Sequence, residues 1–402
     1  MSSPKLRSPG NVAFVSLFAA QAGLLTLSPI LPSVAREFGV ATAAAGQLRT
    51  LVGLVGGIAA LAVVIVGRRV GPRRILLAGN GLLVFGSVAS AAAPSLAGLA
   101  VAQVAIGAAT GLLVAGGLAA AAAWAVPERR AATVAWASLG QPASWVAGMP
   151  LIGLSADLGW RYAWLGVPLA AGLAGLAAVG AQPRRQRAAR SASSGQSLRW
   201  DSKLVGWTIG ELLGYAAWAG TLVYAGALLL ESYDAAPGTV GLLLGAAATA
   251  AFPGNFLARR WLKSAPRELL IALGLGAAVV TVIFGNVRPA LGFSAMTFTL
   301  LVLLATTRTA AGSTFALYVT PGRRLAVMGV RASTAQFGYL LGGGIGGAAL
   351  AAGGYPVLSI TLAGLFVLGA TPHLAAWLAE RVTLSVGRET AARGLPTAPI
   401  AR

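Results

Sequence analysis

"QPRRQRAARSASSGQSLRWDSK", residues 182–203, is the longest polar stretch in a chain of 402 residues, and what lies on either side of it decides the fold. Both flanks are nearly unbroken apolar sequence. Hydrophobic residues make up 57% of the chain and charged residues only 10%, with a mean hydropathy of +0.78. A soluble domain carries roughly 25% charged residues, so this is the composition of an integral membrane protein. Runs able to cross a hydrocarbon layer of about 30 Å, some 20 residues each, are predicted at 11–32, 43–66, 75–93, 96–124, 133–154, 162–181, 204–230, 239–258, 269–286, 293–319, 326–352 and 356–378. That makes twelve spans, six on each side of the polar stretch. The first is not read as a signal peptide, because "SPILPSVAREF" is a poor small-residue cleavage site and further spans follow.

The two flanks repeat one another. "VGRRVGPRRILLAG" after the second span has a counterpart in "LARRWLKSAPRELLIALG" after the eighth, and "VPERRAA" after the fourth matches "TPGRRLA" after the tenth. "LGWRYAW" after the fifth matches, more weakly, "GGYPVLS" after the eleventh, and the offset stays near 191 to 195 residues throughout. A constant offset at equivalent loops marks a duplicated bundle, and such halves enclose a site near the bilayer midplane. The expected organisation is a six-helix bundle over 1–181, a basic linker over 182–203, and a second six-helix bundle with a short tail over 204–402.

The formal charge of +20 suggests nucleic acid only until its distribution is read. Lys5, Arg7, Arg68, Arg69, Arg73, Arg74, Arg129, Arg130, the run from Arg184 to Lys203, Arg259, Arg260, Lys263, Arg267, Arg323, Arg324 and the tail arginines fall in alternate loops. The intervening loops carry only Arg36, Arg161 and Arg288. This is the positive-inside bias, which predicts a multi-pass protein of the cell membrane with both termini and the linker in the cytoplasm. No basic surface is interleaved with stacking aromatics, so no nucleic-acid partner is expected. The partners expected instead are the lipid bilayer, a small-molecule substrate and protons. Cysteine is absent, which removes disulfides, thiolate chemistry and cysteine metal sites; neither a metal nor a cofactor is expected.

These features resemble the major facilitator superfamily over nearly the whole chain. "SPILPSVAREFGV" (28–40) and "AAAGQLRT" (43–50) look like the end of the first span and the start of the second in its drug:proton and sugar-efflux antiporter branch. "GMPLIGLSADLGWRYAWL" (148–165) resembles that branch's fifth-span motif, with Gly148, Pro150 and Gly153 in register and the turn Gly159, Trp160 and Arg161 behind them. The resemblance implies an all-α membrane protein of twelve transmembrane helices in two pseudo-symmetric six-helix bundles, complete as a monomer. The chain departs from the family at its cytoplasmic gating loop, where Arg68, Arg69, Gly71, Arg73 and Arg74 remain but Arg68 stands in place of the usual aspartate. In the fourth span Gln103 stands where the family often has arginine, so that residue's proton role is not carried over.

An ionisable group at the centre of a span costs about 2.5 to 3.5 kcal/mol on insertion scales, so it faces the bundle interior with a partner. Two residues meet that description: Glu211 in "GWTIGELLGYAAW" and Arg308 in "LVLLATTRTAAGSTFALYV". Arg49 and Arg331 are expected nearer span ends, where they can snorkel to water. At 1.5 Å per residue Glu211 lies about 12 Å and Arg308 about 20 Å from the same face, a mismatch that an arginine side chain and helix tilt can close. If both helices line a central cavity, as the resemblance implies, Arg308 faces that cavity and Glu211 balances it in at least one conformation. Three roles stay open: a self-neutralising pair that orients two helices, a proton-coupling Glu211 that titrates as its environment alternates, or an anion site at Arg308.

Gln21, Gln103, Tyr215 and Trp218 are further cavity-lining candidates, each with interhelical packing as the alternative. Tyr215 and Trp218 follow Glu211 by one and two turns and so share its face. Asn80 and Asn255 are expected to pack, and His373 beside Pro372 to be structural. "GGGIGG" (342–347) formally fits a dinucleotide fingerprint, but no strand precedes it, and close helix packing accounts for it. The leading expectation is a secondary transporter, not an enzyme, working by alternating access and exporting a small organic molecule in exchange for protons. No Walker sequence points to ATP. An importer or uniporter of the same fold, a membrane enzyme on a lipid-linked substrate, and a non-transporting sensor or scaffold are the competing functions.

Overall fold

Hydrocarbon offers backbone N–H and C=O groups no water, so runs of Ala, Gly, Leu and Val that cross it must bond within themselves as helices. The computed structural model describes residues 8–182, 201–261, 266–319 and 324–392, and all of its regular elements are helical. Of the expected linker 182–203, residues 183–200 lie outside the described residues, as do the chain ends and the "TPGR" stretch at 320–323. Among the described residues nine helices are long and apolar enough to cross a membrane, and one of them, Val330–Ala379, contains two crossings. The shorter Pro9–Leu25 and the interrupted run 130–157 supply the first and fifth, giving the twelve-span fold.

Departures from the expected spans have local causes. The first helix stops at Leu25 and a short helix, Leu31–Glu37, follows. Pro29 has no N–H for a helical bond and its ring crowds the preceding turn. The fifth span changes to a π-helical turn at Ser144–Gly148, between Pro142 and Pro150. The eighth breaks between Pro237–Ala248 and Ala251–Trp261, just before Pro253. The eleventh and twelfth run as Arg324–Ala392, interrupted only at Gly353 and Gly354; Gly354 has φ of 67°, a left-handed backbone that glycine adopts without penalty.

Two faces can be told apart by their loops, one arginine-rich and one charge-poor. The two halves of the chain meet in the charge-poor half of the molecule. There, glycines let the backbones of the second and eleventh spans approach: a Cβ on Gly53 would come within 2.9 Å of the Tyr339 carbonyl carbon, and one on Gly343 within 2.9 Å of Thr50 Oγ1. The fifth and eighth spans do the same, with a Gly153 Cβ 2.8 Å from Gly241 Cα. Ser28 donates to the Leu222 carbonyl at 2.8 Å, tying the first span to the seventh.

Polar ties finish this closure at the face itself. Asp157 accepts from the Gly238 N–H at 2.8 Å, capping the eighth span from the fifth. Glu231 accepts from Thr42 at 2.6 Å across the halves and from Tyr355 at 2.7 Å within its own. Within the N-terminal half, Trp160 and Arg161 of the Gly-Trp-Arg turn both donate to Glu37, and Arg161 also reaches the Ala93 carbonyl at 2.8 Å.

The hydrogen bonds from Arg161 and then Trp160 hold the Glu37 carboxyl below its ordinary value of 4.5. A depressed folded-state value gives stability that is present above pH 4.5 and is lost as the pH falls through the folded value. The melting midpoints of wild type and Glu37→Gln should therefore differ most near neutral pH, and the difference should shrink as the pH falls below 4.5, with solvent screening keeping it small. Parallel melts at pH 7 and pH 3.5 check this; a gap that does not narrow in acid would show that the site acts through packing alone.

Candidate functional site: a buried ion pair and a central cavity

Seen from its sequence, Glu211 is the acid and Arg308 the base that the hydrocarbon should not hold singly. In the structure they are 2% and 1% exposed, and Arg308 Nη1 lies 3.6 Å from Glu211 Oε1. Arg308 Nη2 also donates to the Gly210 carbonyl at 2.6 Å. Glu211 Oε1 has no hydrogen-bond partner, nor has Arg308 Nε. The pair is therefore an ion contact only half closed by hydrogen bonds.

Two glycines make room for it, each on the helix opposite the charge it carries. A Cβ on Gly214 of the seventh span would overlap the Arg308 guanidinium, and one on Gly312 of the tenth would overlap the Glu211 carboxyl. Trp207 Nε1 donates to the Gly312 carbonyl at 2.9 Å, fixing that turn. The pair thus sits in a reciprocal cradle made from "GELLG" and "RTAAG". His373 adjoins it, with Nε2 3.1 Å from where a Gly210 Cβ would lie and its ring 5.9 Å from Phe315 in an edge contact. Arg331 donates to Ser313 one turn past Arg308.

The expectation that Arg308 faces a cavity between the halves needs correction. Its neighbours Gly210, Gly214 and Gly274 belong to the seventh and ninth spans, all within the C-terminal half. A separate cavity does lie between the halves, lined by Leu25, Ser28, Arg49, Trp145, Met149, Leu222, Leu244, Phe298 and Tyr339, from spans of both.

Arg49 is the second correction. It does not snorkel: it is 2% exposed, and its guanidinium stands 5.7 Å from the Tyr339 ring centroid. The second span begins at Thr42, so Arg49 is two turns, about 10 Å, inside the helix. Gln103 is the third, since it donates to Ser90 at 3.0 Å between the third and fourth spans and does not line this cavity.

The remaining candidates gather around Tyr339. Gln21 and Tyr215 are within hydrogen-bonding reach of its side chain, and the Tyr215 and Tyr339 rings meet edge-on at 5.9 Å. Trp218 stacks between Trp145 at 5.8 Å and Phe298 at 6.3 Å, beside the cavity wall. Tyr215 thereby connects the cavity to the Glu211 level along the seventh span.

Pro150 and Gly153 lie elsewhere, in the seam with the eighth span, where a Gly245 Cβ would come within 2.6 Å of Pro150 Cδ, while Gly148 faces Val167 and Phe18 of its own half. Of the loop after the second span, Arg69 and Arg74 are exposed, and Gly71 has φ of 80° before the helix that opens at Pro72. Arg73 reaches toward the Gly180 carbonyl at 3.4 Å, and the Arg68 side chain is outside the described residues. Asn80 is fully buried and donates to the Leu76 carbonyl at 2.8 Å.

A twelve-span bundle whose halves close at one face over a shared cavity has the construction of an alternating-access carrier. Residues 13–209 match the family model of the Major Facilitator Superfamily. The matched residues hold the first six spans, so the N-terminal half of the chain is similar to this superfamily of transporters.

Three solved structures extend the likeness of fold over both halves. A bacterial homologue of the human lysosomal transporter Spinster, inward-facing and unoccupied, is 14% identical with a TM-score of 0.71, covering 96% of this chain and 99% of its own. The nucleoside transporter NupG, in a mutant form, is 12% identical with a TM-score of 0.73, covering 92% and 99%. A D-xylose-proton symporter is 15% identical with a TM-score of 0.73, covering 90% and 96%. No curated protein sequence matches the chain.

Proposed function

We propose that this protein is a proton-coupled exporter of a small organic molecule and that Glu211 carries the coupling proton. One observation carries the reading: a buried carboxyl whose Oε1 has an arginine at 3.6 Å but no hydrogen bond. A fully satisfied structural pair would be expected to close both. Arg308, Arg331 and Tyr215 lie within electrostatic reach of Glu211, so rearrangement of the seventh and tenth spans changes how strongly its charge is compensated. The motif around Gly148, Pro150 and Gly153 supports export, because it resembles the antiporter branch. The arginine-rich face is assigned to the cytoplasm, which makes this conformation closed to the outside. One chain, as bundles 1–181 and 204–402 with the basic linker 182–203, is the working unit.

A second reading, proton-driven import, is favoured by the D-xylose-proton symporter among the similar folds. Both readings are tested with purified protein in liposomes containing a pH dye, challenged with lipophilic cations, sugars and organic acids. Substrate-evoked proton movement should vanish in Glu211→Gln, and its sign separates export from import. Substrate flux without proton movement, unchanged by the substitution, would leave a uniporter.

A further inference from the structure

Among the described residues the buried charged side chains are Arg49, Glu211 and Arg308. Glu211 and Arg308 face each other, which leaves Arg49 as a cation in excess. Its Nε and Nη1 are buried without a hydrogen-bond partner. Around it the central cavity offers Leu25, Met149, Leu222 and Leu244 as apolar walls and Trp145 and Phe298 as aromatic ones. Of the two hydroxyls on that wall, Ser28 is spent on the Leu222 carbonyl, and Tyr339 turns its ring to the guanidinium.

A guanidinium held in an apolar setting without an anion is costly, because nothing offsets its lost hydration. Arginine matches a carboxylate with two parallel N–H donors, the geometry that makes such pairs strong. We propose that Arg49 is the charge-recognition residue of the transport site and that the substrate class is an organic monoanion, a carboxylate on an apolar or aromatic body. This rests on the reading of the chain as a carrier of a small organic molecule and names its class. The carboxylate meets the Arg49 guanidinium, whose Nε and Nη1 have no protein partner, and the body lies against Trp145, Phe298 and the aliphatic wall. The space beside Arg49 in this closed form has room for about one water, so the anion enters when the halves part and its charge completes the site as they close.

The test is binding to the purified full-length protein in detergent, followed by tryptophan emission, since Trp145 and Trp218 adjoin the cavity. The probes are 3-phenylpropionate and two analogues of the same body, 3-phenylpropionamide and 3-phenylpropylamine. The acid should bind at least about tenfold more tightly than either analogue, the loss expected for charge-assisted bonds. Arg49→Gln should remove that preference, and Arg49→Lys should keep part of it. Without ligand, Arg49→Gln should melt no lower than wild type, because it deletes an unpartnered buried charge. Equal binding of acid and amide, no acid binding at all, or acid binding unaffected by Arg49→Gln overturns the proposal. So does a melting midpoint for Arg49→Gln well below wild type, which would give Arg49 a structural partner. Proton flux in liposomes is a separate readout, so its absence removes the coupling by Glu211 while the binding result decides the substrate class.

Discussion

Arg308→Met alone should cost about 3 kcal/mol of stability, the lower end of the range for breaking a buried pair, while Arg308→Met combined with Glu211→Gln should recover at least half of that loss. The single change strands a carboxylate that is 2% exposed and removes the donor that holds the Gly210 carbonyl at 2.6 Å. The double change leaves a neutral amide and an apolar chain of similar length in the same cradle over Gly214 and Gly312. A thermal melt of the four proteins of this cycle, in one detergent at pH 7, reads the coupling directly. Additive losses would mean that the two charges, although 3.6 Å apart, are balanced separately by their surroundings. The cycle also separates stability from work: the double variant should fold yet move no protons, because the carboxyl proposed to carry the proton is gone.

The twelve spans could be read in advance because hydrocarbon leaves an apolar backbone run one solution, the helix, and because arginines mark alternate loops. Pairing Glu211 with Arg308 was legible for the same reason, since Glu211 is the only acid well inside a predicted span and Arg308 lies near the middle of another. Their setting was not. Spacing shows that Gly214 follows Glu211 by less than a turn, but only the facing helix shows that Gly214 lies under Arg308. Enclosure of the pair by the seventh, ninth and tenth spans likewise depends on helix rotation, which an apolar sequence does not encode: the hydrophobic pattern has no wet side to mark. Arg49 was misplaced for a related reason. Its place near the start of the span suggested a side chain that reaches water, whereas the helix turns this residue inward toward Tyr339 of the opposite half. Gln103 fell to the same ambiguity, with Ser90 on a neighbouring span taking its amide.

Gly153→Leu should abolish transport, by at least about a hundredfold, in a protein that still folds. At this position the fifth span touches the eighth backbone to backbone, Gly153 against Gly241, with Pro150 against Gly245 one turn deeper and Asp157 capping Gly238 one turn nearer the face. A leucine there cannot be absorbed by a side-chain shift, because what it meets is the Pro237 carbonyl and the Gly241 backbone. The fifth span belongs to one half and the eighth to the other, so the halves can part without disturbing the interior of either bundle. The variant is therefore held open at the charge-poor face. The absence of native cysteine makes this readable with one introduced thiol, Leu222→Cys, whose side chain is 7% exposed beneath the closure. A membrane-impermeant maleimide added at the charge-poor face should label it slowly in the otherwise wild-type background and rapidly with Gly153→Leu. Slow labelling in both backgrounds would mean that the seam between the fifth and eighth spans is not the closing contact, and that the second and eleventh spans, packed at Gly53 and Gly343, hold the face shut by themselves.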